Sequence, residues 1–135
     1  MPQVPPIKEF LIAGASKRGW TTWTTAVVDK RVGAIAPMVI PVLNMQPTLN
    51  VMYQAYGKWS FALKDYLAEG VMAFLNRPEF YEMAAIVDPF SYLDRLTMPK
   101  YIICAAGDEF FLPDSTRFFF DQLKGGPNLL RVVPD

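Results

Sequence analysis

Residues 10–20 read Phe10-Leu11-Ile12-Ala13-Gly14-Ala15-Ser16-Lys17-Arg18-Gly19-Trp20, and the reading of this stretch decides the fold. An apolar run reaches Gly14 and passes straight into a helical pattern, with Trp20, Trp23, Val27 and Val28 at i, i+3, i+7 and i+8. Strand, small-residue turn with a central serine, then helix: this order puts the serine on a sharp bend, the architecture of a nucleophile elbow. Such a bend admits only small flanking residues, and Gly14, Ala15 and Gly19 meet that need. The second glycine arrives one place later than in G-x-S-x-G. The motif is therefore G-x-S-x-x-G, with Arg18 at the usual glycine position and its stem expected to point away from the sheet. A glycine-flanked serine in a βα turn also suits a helix N-cap. Taken alone, the motif leaves nucleophile and cap both open.

Working outward, residues 8–14 are expected to form a strand, and its nearly continuous apolar run suits a parallel sheet covered on both faces. The helix runs from Lys17 to about Lys30, and the apolar run Val32 to Ile40 makes the next strand. That is a βαβ unit, hence parallel pairing with a right-handed crossover. Ahead of it, residues 1–7 are proline-rich and read as an extended lead-in.

Residues 41–95 change character. Pro41, Pro47, Pro78 and Pro89 punctuate segments of helical spacing, so this region reads as a helical insertion. Ser60 caps a helix ending at Gly70, and another starts around Pro78 and stops before Pro89. The rings of Tyr53, Tyr56, Trp59, Phe61 and Tyr66 are expected in packing, with substrate contact as the alternative. A strand over 100–106 then ends at Gly107, and Asp108 follows at its carboxyl end, where α/β sheets gather their ligands and catalytic groups. Asp114 or Ser115 is expected to cap a helix through Phe118 to Leu123, ended by Gly125 and Gly126. Asn128 to Val133 starts a fourth strand.

Composition narrows the functions. The chain has 135 residues, 52% of them hydrophobic, enough for one domain with a substantial core. Thirteen basic and thirteen acidic residues cancel, so nucleic acid and anionic membranes are poor partners. No apolar run is long enough to span a bilayer, and the start of the chain does not read as a signal peptide. Cys104 is the single cysteine, which excludes an internal disulfide; in mid-strand it is expected to be a small buried hydrophobe. There is no histidine, so a histidine base or histidine-ligated metal cannot be completed within these residues. No metal-ligand spacing or phosphate-binding glycine motif is present, and no cofactor is implied.

With these motifs in order, the chain resembles the PhoPQ-activated pathogenicity-related family, which includes autocrine proliferation repressor-like proteins. The matching stretches are FLIAGASKRGWTTW, VGAIAPMVI followed by LNM, DPFSYLDRLTMPKYIICAAGDEFFLPDS and LLRVVPD. Pro41 departs from the pattern, which commonly has an acidic residue there. The resemblance implies the C-terminal half of an α/β-hydrolase catalytic domain. The expected fold is α/β: about four sequential parallel strands, crossing helices and a helical insertion. Within 1–135 this gives strand, elbow, helix and strand over 8–40, the insertion over 41–95, and strand, acid loop, helix and strand over 96–135.

The same resemblance implies Ser16 as nucleophile, Asp108 as the acid that orients a histidine, and the backbone N–H of Lys17 as an oxyanion donor. The histidine would lie beyond Asp135. Glu109 is the alternative acid. Glucuronoyl esterases also carry a basic residue after the elbow serine, so the Lys17 ammonium suits either an oxyanion or an acidic sugar, or else is simply solvated. The implied substrate is a small ester or peptide, and secretion or a periplasmic location follows from the family. The alternatives are a non-catalytic signalling or binding protein on a hydrolase scaffold, and an incomplete, inactive piece whose open sheet edge self-associates.

Overall fold

The computed structural model describes residues 6–134, so most of the proline-rich lead-in (residues 1–5) and Asp135 lie outside the described residues. Four parallel strands stand in sequential order: β1 (Phe10–Ala15), β2 (Val32–Met38), β3 (Lys100–Ala105) and β4 (Asn128–Val133). Helix α1 (Lys17–Val28) crosses from β1 to β2. At the carboxyl edge Ala15 is level with Met38, and Met38 with Ile103, so the turns after β1, β2 and β3 open on the same side. This is the expected α/β arrangement.

Between β2 and β3 the chain leaves the sheet as helices α2 (Met45–Tyr56), α3 (Lys64–Ala68) and α4 (Pro78–Val87), joined by short 3-10 turns. Ser60 caps the turn leading into α3, its hydroxyl accepting the Ala62 N–H. Gly70, at φ 71°, ends that segment. These helices bury a cluster of their own, made of Leu49, Met52, Leu63, Leu75 and Phe80. The main core lies against the sheet, around Trp23, Ile35, Leu43, Leu96, Ile102, Cys104 and Phe119. Trp23 meets Phe119 edge-on with ring centroids 6.3 Å apart. Met45 packs against both clusters.

Several expectations are corrected. The buried face of α1 is Gly19, Thr22, Trp23 and Ala26, whereas Val28 is 76% exposed. Helical spacing placed Val28 beside Val27, but α1 ends there and its last turn clears the sheet. Strand β1 is not covered on both faces: Leu11 is 71% exposed, and Ala13 and Ala15 are also open. The segment after β3 is two 3-10 turns, Pro113–Phe118 and Phe120–Gln122, broken at Phe119 where φ is −146°. Neither Asp114 nor Ser115 caps it. Asp114 is ion-paired to Arg117 instead, and Ser115 is buried. Tyr53, Tyr56, Phe61 and Tyr66 are exposed rather than core residues, although Tyr53 stacks on Trp59 at 4.9 Å.

Candidate active site

Ser16 sits between β1 and α1 with φ 52° and ψ −123°, a conformation that costs a non-glycine residue of order 1–3 kcal/mol. Its side chain makes no capping hydrogen bond, so the N-cap alternative is not what the serine does here. The bend is held from both sides: the Ser16 N–H donates to the Met38 carbonyl at 2.9 Å, and the Trp20 N–H donates to the Ser16 carbonyl at 3.0 Å. Ser16 is exposed. Lys17 opens α1, where backbone N–H groups have no intrahelical acceptor.

The displaced second glycine has a physical reason. A Cβ on Gly19 would stand 2.7 Å from Ile40 Cγ2 and 3.0 Å from the Gly14 and Met38 carbonyl oxygens. A Cβ on Gly14 would stand 2.5 Å from the Arg18 carbonyl oxygen. The helix face that touches the sheet therefore passes through Gly19, and Arg18 is left exposed. Beside this contact Val39, a β-branched residue, is held at φ 45°, with its N–H donating to the Ile103 carbonyl at 2.7 Å. Pro41 is fully buried, where a carboxylate would need partners of its own.

Asp108 follows β3, on the same edge as Ser16 but two strands away, a lateral step of about 10 Å. The two side chains are thus placed on one edge without direct contact. Asp108 is half-buried, and its Oδ1 accepts the N–H groups of Phe110 (2.8 Å) and Phe111 (3.1 Å), leaving Oδ2 outside those contacts. Glu109 is exposed, and its carbonyl accepts the Ser60 hydroxyl at 2.6 Å, tying this loop to the helical insertion. Cys104, the penultimate residue of β3, is 1% exposed. Burial, and secondarily the Asp108 charge, push its thiol up to about 11, so it is no thiolate nucleophile at neutral pH.

Ser16 and Lys17 lie on the wall of a cavity of about 510 Å³ at the seam between the two hydrophobic clusters. Its other walls are Trp20, Ile40 and Val42 from the sheet side, the helices of the insertion, and Phe110 and Phe111 from the Asp108 loop. A second hollow of about 580 Å³ lies at the opposite end of the sheet, around Val28, Asp29 and Met98, and neither serine nor cysteine lines it among the described residues. Among the described residues there is no group of three metal-ligating side chains, and no helix long and apolar enough to cross a membrane.

One residue that the sequence reading passed over shapes this region. Asp88 is 3% exposed; its Oδ2 accepts the Met45 N–H at 2.8 Å and its Oδ1 accepts the Phe90 N–H at 3.0 Å. Burial pushes its carboxyl up to about 6, against the pull of those N–H groups. The Asp88-Pro89 pair signals the local turn at Phe90. Nothing in the sequence signals the bond to Met45, 43 residues away.

Two solved hydrolases share this architecture. Puromycin hydrolase aligns with a TM-score of 0.60 at 20% identity, over 92% of this chain and 18% of its own. The monoacylglycerol lipase of Paleococcus ferrophilus aligns with a TM-score of 0.56 at 15% identity, over 94% of this chain and 59% of its own. At these identities the likeness is one of fold. Residues 2–135 match the PhoPQ-activated pathogenicity-related protein family, and the chain belongs to it. A curated relative, autocrine proliferation repressor protein A of Dictyostelium discoideum, is 58% identical over 129 residues. Those residues are 95% of this chain and 26% of the relative, so the chain spans about a quarter of that relative's length.

Proposed function

We propose that the protein is a serine hydrolase, of esterase or peptidase type, whose nucleophile is Ser16. The observation that carries this reading is Ser16 at positive φ without a capping bond, on a bend that only Gly14 and Gly19 permit. A βα turn that merely capped a helix would have no use for such strain. In the proposed reaction Ser16 Oγ bonds to the acyl carbonyl carbon as its proton passes to a histidine. That histidine is contributed from outside these 135 residues, since none lies within them. The Lys17 N–H receives the oxyanion. The bond to the leaving group then breaks, the leaving group takes the proton, and water releases the acid from Ser16 by the same steps. Asp108 orients the histidine through Oδ2.

The test is fluorophosphonate labelling of the full-length protein with the adduct located by mass spectrometry. Adduct on Ser16, lost in Ser16→Ala and slowed on the order of a thousandfold in Asp108→Asn but not in Glu109→Gln, is the expected result. A folded protein without adduct contradicts it. That outcome favours the second reading, a non-catalytic signalling protein on a hydrolase scaffold. The name of the Dictyostelium relative, a proliferation repressor, supports that alternative, and a full-length protein without the downstream histidine would favour it further.

A further inference from the structure

We infer that the cavity beside Ser16 is an acyl pocket, and that the acyl group it takes is an uncharged aliphatic chain of medium length. The inference rests on the serine hydrolase reading and adds the substrate class to it. The insertion lines the pocket with Leu49, Leu63, Tyr66, Met72, Phe80 and Met83 among others, and among the described residues no carboxylate, arginine or amide side chain lines it. Lys17 is the only charged residue on the wall; it is exposed and sits next to Ser16. A hydrophilic acyl group, such as a sugar acid or an acidic peptide side chain, would be desolvated against the apolar side chains that make up most of this lining, with only Ser16, Lys17 and the Tyr66 hydroxyl to meet it. An aliphatic chain would gain from every methylene it buries. The volume of about 510 Å³ falls in the ordinary range for small-molecule sites and has room for an acyl chain on the order of eight carbons. Unbranched methionines, which repack around ligands of different length, sit at both ends of the insertion and in its middle.

The polar end is equally well defined. Asp108 Oδ1 holds the Phe110 and Phe111 N–H groups and so fixes the loop that closes one side of the pocket. The Ser60 hydroxyl bound to the Glu109 carbonyl joins that loop to the insertion. The pocket walls are therefore anchored to the same turn that carries the proposed catalytic acid.

The experiment uses the full-length protein and a series of p-nitrophenyl esters from acetate to decanoate, with a methyl glucuronate ester as the hydrophilic competitor. The expected result is kcat/KM rising about fourfold per added methylene up to roughly eight carbons and then levelling, with the glucuronate ester turned over more slowly than octanoate. A flat series, an acetate optimum or a glucuronate preference overturns the inference. Ketone binding separates this claim from the claim of catalysis: 2-decanone and 2-butanone are titrated calorimetrically into Ser16→Ala. Tighter binding of 2-decanone by at least tenfold, abolished by adding Met83→Trp, supports the pocket even if no ester is hydrolysed. Equal binding of the two ketones overturns it even if the esters are hydrolysed.

Discussion

Replacing Gly19 with alanine tests the argument that the elbow depends on a close approach of α1 to the sheet. Two effects of opposite sign compete. Alanine in a helix interior is favoured over glycine by up to about 1 kcal/mol, so at an exposed site the change would stabilise. Here the new methyl would lie 2.7 Å from Ile40 Cγ2, about 1 Å inside an ordinary carbon–carbon contact. It would also lie 3.0 Å from two backbone oxygens, those of Gly14 and Met38, which cannot turn aside as a side chain can. Overpacking of this kind costs about 1–3 kcal/mol, and the net expectation is destabilisation by about 1–2 kcal/mol. In a thermal melt of the full-length protein this is a midpoint lower by a few degrees. To relieve the clash α1 must lift, taking Lys17 and Ser16 with it, and displacements of this size cost one to two orders of magnitude in a positioned reaction. Fluorophosphonate labelling of Ser16 should thus slow at least tenfold, beyond what the stability loss explains. A raised melting midpoint together with an unchanged labelling rate would refute the reasoning, because it would mean that nothing stands where the methyl goes.

Two other substitutions probe the frame around the site. Asp88 has a folded pKa of about 6, above the ordinary carboxyl value, so the native state holds its proton to higher pH than the unfolded chain does. Its contribution is fully present below pH about 4 and is lost as the pH rises through about 6, a change on the order of 2–3 kcal/mol. Asp88→Asn keeps one acceptor but turns an NH₂ toward a backbone N–H, so melting midpoints from pH 4 to 7 should show the wild-type advantage narrowing with pH; a constant advantage contradicts this. Trp23 is fully buried, and its Nε1 has no hydrogen-bond partner among the described residues. Trp23→Phe, which removes that orphaned donor, should cost within about 1 kcal/mol, whereas Trp23→Ala should cost about 3–5 kcal/mol by denaturant titration.

The parts of this molecule legible in the sequence are those written by neighbours along the chain. Gly14, Ser16 and Gly19 announce a tight βα turn because its steric limits act on residues only a few places apart. The alternation of apolar runs and helical spacing announces the order of strands for the same reason. What failed was burial decided by distant partners. Val28 obeys the helical period yet lies past the point where α1 touches the sheet. Tyr53 and Phe61 look like core residues, but Leu49, Leu63 and Phe80 fill the small interior of the insertion first. Phe119 breaks a segment that reads as one helix because its ring is drawn into the main core against Trp23. Of the proposed site, the elbow and Asp108 can be found by inspection. The cavity cannot, since its walls come from five separate parts of the chain.

Asp88 has a consequence for how such a protein changes over generations. One carboxylate binds the N–H of Met45, where the helical excursion departs, and that of Phe90, where it returns. The two ends of the excursion are thus clasped by one side chain into a ring, while the Ser60 hydroxyl ties its middle to the loop after β3. Lengthening a ring of this kind is cheap, about 0.6 kcal/mol for a doubling of its residues if the ring is flexible, and no strand need shift to accommodate it. On the proposed function, the ring lines the acyl pocket and the sheet beneath carries Ser16 and Asp108, so the pocket can be exchanged while the reacting groups stay in place.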